Sequence, residues 1–258
     1  MNETIDLKIS GASTMPGGEY AGVSISGAGK IQGNLRCARL HCSGAAKILG
    51  DVDCTGEIRS SGAGKVEGSA QCESLSSSGA FSVSSGLTVR TLVSSSGSVQ
   101  AAQQLTADEI RSTGCLEAGR VHCRAFTSSG SCRISGDLEA ETAVLTGAAE
   151  IGGLLNAETV EISANRAVHI HAIGGSSIRI LRKDASAFFG LFRAGSGCAR
   201  VGSIEGDEIE LEDVEAEIVR GRNVRIGEGC RIGCVEYSGT LTANPGTVDK
   251  SVKTSTEL

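Results

Sequence analysis

Tryptophan is absent from this 258-residue chain, proline occurs twice, and all aromatic residues together make up 3 % of it. Large rings fill wide cores, so the chain must bury a thin core lined by small side chains. No run approaches the ~20 apolar residues of a membrane-spanning helix. The opening residues MNETIDLKIS have neither a basic flank nor an apolar centre, unlike a secretory signal. The expected location is therefore the cytoplasm, where the ten cysteines stay reduced. Excess positive charge is also lacking. A net charge of −6 argues against a general nucleic-acid binder, which needs a basic surface to displace counterions. Cys-x-x-Cys does not occur. The nearest pairs, Cys37 with Cys42 and Cys230 with Cys234, have no second pair at zinc spacing, so no metal ligand set and no cofactor is expected.

Glycine, by contrast, appears 36 times, and it is ordered. Ser-Gly or Thr-Gly recurs at Gly11, Gly27, Gly44, Gly62, Gly79, Gly97, Gly114, Gly130 and Gly147, 16 to 18 residues apart. Four residues before these glycines stand Leu7, Val23, Leu40, Ile58, Leu75, Val93, Ile110, Phe126 and Ala143; four after them stand Met15, Ile31, Ile48, Val66, Val83, Ala101, Ala118, Ile134 and Ile151. Within each run apolar or small residues alternate with polar ones, the period of a β-strand. Three short strands per ~17-residue repeat, with glycine corners expected to take positive φ, describe one coil of a parallel β-helix. The fold class is all-β, with equivalent residues stacked into ladders at the ~4.8 Å strand spacing. Positions two before each glycine read Ile9, Ile25, Cys42, Ser60, Ser77, Ser95, Ser112, Ser128 and Leu145. This is an inward column whose hydroxyls could bond one another or the corner carbonyls. Cys37, Cys54 and Cys72 fall in one column as small apolar residues.

The repeat organises the chain into four parts: β-helix coils over 1–182, an insert over 183–200, further coils over 201–243 and a polar, disordered tail over 244–258. About a dozen coils are expected in all. In the insert, Arg182 and Lys183 lead into Phe188, Phe189, Leu191, Phe192 and Arg193, which gather three of the five phenylalanines. Exposed apolar clusters mark contact sites, and phenylalanines ringed by arginine and lysine suit a membrane interface. A membrane surface, a partner protein and folding back onto the coils all remain open for this loop. His169 and His171 share one strand face, either solvated or a weak metal or general-base site. The carboxylate run Ile204–Glu215 is either a calcium site or a charged face that restrains lateral strand pairing.

No nucleophile, base and pocket fill the checklist of an enzyme, so no catalytic residue is assigned. Two other classes stay in view. A hexapeptide-like fragment, Ile226-Gly-Glu-Gly-Cys-Arg followed by Ile232-Gly-Cys, would suit an acyltransferase-like β-helical enzyme, beside polysaccharide-active ones. A monomeric binding module would show the same coils. Physical reasoning favours self-assembly instead. A β-helix ends in unpaired strand backbone, which natural solenoids cap. Here Leu7, Ile9 and Val23 begin the pattern without a capping helix, and the coils run to Leu241, so these residues are the expected polymer ends.

The residues Gly27 to Cys54, GAGKIQGNLRCARLHCSGAAKILGDVDC, and the stretch from Ile204 through Val224–Leu241, ending VRIGEGCRIGCVEYSGTL, resemble the bactofilins, and among them long members from spore-forming bacteria. The resemblance implies a right-handed β-helix that polymerises without nucleotide into nonpolar filaments. It further implies a cytoskeletal scaffold, peripheral at the inner membrane, that supports envelope, cell-shape or motility machinery.

Overall fold

The computed structural model describes residues 5–163, 167–182 and 198–254. The chain is all-β, without helix among these residues, and its parallel strands stack as a β-solenoid of about 13 turns at ~17-residue steps. It divides into two compact units, residues 1–124 and 125–258.

In the first unit the coils are either one long strand, as Ala12–Ile25, Ala28–Cys42 and Ser98–Ser112, or three short ones. Ala45–Ile48, Val52–Cys54 and Glu57–Ser60 form one coil; Ala63–Val66, Ala70–Cys72 and Ser74–Ser77 form the next. Equivalent strands pair in parallel, with Ala45↔Ala63↔Ala80, Val52↔Ala70↔Leu87 and Ile58↔Leu75↔Val93 in register. The alternation seen in the sequence becomes alternating burial, as in Ala63–Val66, where Gly64 and Val66 point in and Ala63 and Lys65 point out. The column Val23, Leu40, Ile58, Leu75, Val93, Ile110 is fully buried. Wide side chains enter only where a neighbouring coil makes room. Phe81, facing Gly64, would meet a Cβ there at 2.8 Å.

The corner glycines correct one expectation. Positive φ among glycines belongs to Gly18, Gly33, Gly229 and Gly246, not to the Ser-Gly corners. Close approach fixes the corners instead. Ser61 and Gly62 both donate backbone N–H to the Cys42 carbonyl of the coil below, at 2.8 and 3.1 Å, as Ser43 and Gly44 do to Ile25. This draws the chains together so tightly that a Cβ on Gly62 would sit 2.6 Å from the Ser43 carbonyl oxygen and nearer still to that of Gly44. Gly11, first in the ladder, has nothing within 4 Å.

The second unit keeps the register with longer, bent strands. Ala148–Ser163 pairs with Val168–Leu181, and this with Ala199–Leu211, where His169 faces Arg200, 31 residues on. The long step places the insertion between Leu181 and Ala199. The insert therefore ends two residues before the expected 200, because Ala199 and Arg200 pair with Val168 and His169. Stacking continues through Val214–Ile226 and Arg231–Ala243.

The expected disordered tail is also corrected. Val248–Lys253 is a strand parallel to the preceding coil, with Ile232↔Val248 and Tyr237↔Lys253 in register. Thr247 turns inward and is buried, its hydroxyl donating to the Asn244 carbonyl at 2.7 Å. A polar segment becomes a strand here because the last coil offers it a ready row of backbone partners. Apolar periodicity carries no trace of that offer.

Candidate functional site

The residues expected at the polymer ends lie on the outer coils of their units. Leu7 and Ile9 form the first strand, paired with Val23 and Ile25; all four are buried. Exposure at this end belongs to other residues. Ala12–Tyr20 pairs with the strand Ala28–Cys42 on one side and, among the described residues, with no strand on the other. Met15, whose column mates Ile31, Ile48 and Val66 are buried, is only half-buried. Ile5, which sequence reasoning missed, stands 68 % exposed.

The other end repeats the pattern. Val248–Lys253 covers Ile232–Tyr237, but no described strand covers Thr240–Ala243. Leu241 is accordingly half-buried beside its buried column mates Val224 and Ile209. Val252, on the outermost strand, is 37 % exposed. Among the described residues, both outer coils thus present core-column side chains without a next neighbour. Ile5 and Val252 carried no signal in the sequence, because each stands outside the regular ladders.

Of the insert residues, Arg182 lies within the described structure. Its backbone N–H donates to Glu212 Oε2 at 3.3 Å, and its Nε is 3.3 Å from Asp213 Oδ2. The coil above therefore holds it. Lys183, Phe188, Phe189, Leu191, Phe192 and Arg193 lie outside the described residues. Among the described residues no helix is long and apolar enough to cross a membrane.

His169 and His171 share the outer face, with Val168 and Ile170 buried behind them. His169 stands in the outer column Arg133, Glu150, His169, Arg200, Glu215, Arg231. Arg133 bonds Glu150 at 2.9 Å and Arg200 approaches Glu215 at 3.4 Å. The two imidazoles line an open groove of about 700 Å³ that has no serine, threonine or cysteine in its wall.

Several members of the carboxylate run meet cations or amides. Glu210 lies between Arg179 at 3.2 Å and Arg225 at 3.5 Å, and Glu208 accepts from Asn223 at 2.6 Å. No cluster of three or more metal-ligating side chains occurs among the described residues.

None of the ten cysteines is in a disulfide, and seven of them are buried. Burial pushes Cys72 and Cys123 up to about 12, and the hydrogen bond with Cys54 raises Cys37. Thiols held protonated in this way are poor nucleophiles. The serine column is buried as its spacing predicts. Ser60 and Ser77 donate weakly to corner carbonyls at 3.3 to 3.5 Å, whereas the Ser95, Ser112 and Ser128 hydroxyls find no protein partner.

Comparison with known proteins finds likeness to two uncharacterized proteins. Seventy-seven residues are 42 % identical to the uncharacterized protein YhbF of Bacillus subtilis (strain 168), covering 30 % of this chain and 31 % of that protein. Fifty-five residues are 53 % identical to the uncharacterized protein YhbE of the same organism, covering 21 % of this chain and 22 % of that one. The matched stretches thus span about a third and a fifth of those relatives. No family model and no solved structure matches the chain.

Proposed function

We propose that the protein is a non-catalytic, self-assembling scaffold whose copies stack end to end through their outer coils, without nucleotide, into filaments. Its place would be the inner face of the membrane, in support of envelope, cell-shape or motility machinery, as the likeness to the bactofilins implies. One observation carries the assembly step: both outer coils leave a strand edge uncovered among the described residues, beside half-buried Met15 and Leu241 and exposed Ile5 and Val252. Unpaired strand edges template further pairing. Burying two exposed aliphatic side chains is worth about 1.5–3 kcal/mol each.

Sedimentation velocity and electron microscopy of the purified chain test this reading. The expected result is concentration-dependent filaments that form without ATP or GTP. Ile5→Glu and Val252→Glu, both at exposed positions, should shorten them while leaving the fold intact. A strictly monomeric wild-type chain at high concentration would overturn the proposal in favour of a monomeric binding module.

A further inference from the structure

Charged residues on the outer face follow a rule. Across neighbouring coils Arg36 faces Glu19 and Asp53, Arg179 faces Glu161 and Glu210, Arg220 faces Glu205 and Glu236, and Glu215 faces Arg200 and Arg231. Opposite signs alternate up these columns, as expected where like charges directly opposite each other destabilise a sheet.

Lys30, Lys47 and Lys65 break the rule. They face one another in consecutive coils, Lys30↔Lys47↔Lys65, with Thr14 before them and Ser82 after. One carboxylate serves the rank: Glu67, 2.8 Å from Lys47. That bond, helped by the charges of Lys65 and Lys30, holds its carboxyl below the usual range. Beside the lysines runs a row of exposed alanines, Ala28, Ala45 and Ala63, and together they line a shallow groove of about 710 Å³. Three lysines thus stand in consecutive coils beside a row of small side chains, at a cost that columns of alternating sign avoid.

The chain carries a counterpart of opposite sign. The register Ala140↔Ala157 and Thr142↔Thr159 brings Glu141 and Glu158, both exposed, onto neighbouring coils as a like-charged acidic step. We infer that the Lys30–Lys47–Lys65 rank docks the Glu141–Glu158 step of a second copy, side by side. The two charge rows share the strand repeat because both are built by the same solenoid, so one copy's ammonium groups meet the other's carboxylates in register. The row of exposed alanines lets the two faces approach. A contact of this kind sets one patch against a different patch and is heterologous. The inference extends the scaffold reading by giving filaments a lateral contact, but it is separable from it, since end contacts are apolar and this one is ionic.

The test uses the full chain at low and high ionic strength, followed by sedimentation velocity and electron microscopy. Wild type should associate side by side at low salt and separate at high salt, where charges are screened. Lys30→Glu with Lys65→Glu turns the rank into a column of alternating sign and spares the Lys47–Glu67 bridge. The fold should therefore be at least as stable by thermal melting, while low-salt association weakens about tenfold. Glu141→Lys with Glu158→Lys should weaken it equally, and an equimolar mixture of the two variants should regain it. Bundles that ignore salt and both charge reversals, or a mixture that fails to recover, overturn the inference. Stronger association on Lys→Gln replacement also overturns it, since the lysines would then merely guard a sheet face. So would loss of binding to phosphatidylglycerol vesicles with self-association unchanged, which would assign the rank to lipid. If no filaments form at any salt, the end-stacking reading fails, and salt-dependent pairs in sedimentation still decide this one.

Discussion

A methyl group added to Gly79 would press on the Gly62 carbonyl oxygen and lie 2.6 Å from that of Ser61, so the coils could not keep their corner hydrogen bonds unchanged. Gly79→Ala should cost about 1–3 kcal/mol, the usual penalty of overpacking, in chemical denaturation. Gly11→Ala, with open space around it, should stay within about 0.5 kcal/mol. Equal stability of the two variants would remove close approach as the reason for the repeat. The period of these glycines could be read from the sequence; their reason could not, because a torsional and a steric demand select the same residue. The buried thiols make a second residue-level claim. Cys72 and Cys123, raised to about 12, ionise near 8.5 when unfolded. Their contribution is therefore fully present below about pH 8.5 and is lost as pH rises from there towards 12. Replacing both by alanine should flatten the alkaline fall in stability measured by denaturant titration at several pH values. An unchanged slope would contradict the assignment.

At the scale of the strand, the serine column shows how a ladder can hold groups its members do not need. Ser95 faces Ser112 across the coils, both are buried, and neither hydroxyl finds a protein partner. An unsatisfied buried hydroxyl costs about 1–3 kcal/mol. Ser95→Ala should leave the thermal midpoint unchanged or raise it by a few degrees, whereas Ser60→Ala should lower it slightly through loss of the bonds to Gly62 and Ala80. A marked loss of stability in Ser95→Ala would mean that the hydroxyl is satisfied in solution. The spacing placed this column inside before any coordinates, since period-two alternation fixes which side chains point in. It could not say which hydroxyls would reach a carbonyl, a matter of a few tenths of an ångström at each corner. The closing strand Val248–Lys253 was invisible for another reason. Only Thr247 and, in part, Val248 turn inward, so its apolar pattern is too sparse to register.

For the molecule as a whole, net negative charge conceals a sorted surface. Among the described residues, facing charges of opposite sign recur between coils, whereas a lysine rank in one unit and an acidic step in the other set like charges on neighbouring coils. In the proposed stacking, exposed Ile5 and Val252 with half-buried Met15 and Leu241 would supply an apolar contact of a different kind, which salt should not disturb. Filament length and filament bundling are therefore expected to respond to different substitutions. By itself the sequence determined the solenoid, its coil period and which residues line its core, because a repeat written nine times in register permits one stacking of its ladders. What only the tertiary structure decided is which apolar residues remain exposed once the coils are stacked, Ile5 and Val252 rather than Leu7 and Ile9 at the outer coils, and which like charges it sets against one another, Lys30, Lys47 and Lys65 in consecutive coils. Exposure and charge balance are properties of neighbours brought together across coils, and the identity of a neighbour 16, 17, 18 or 31 residues away is set by the fold.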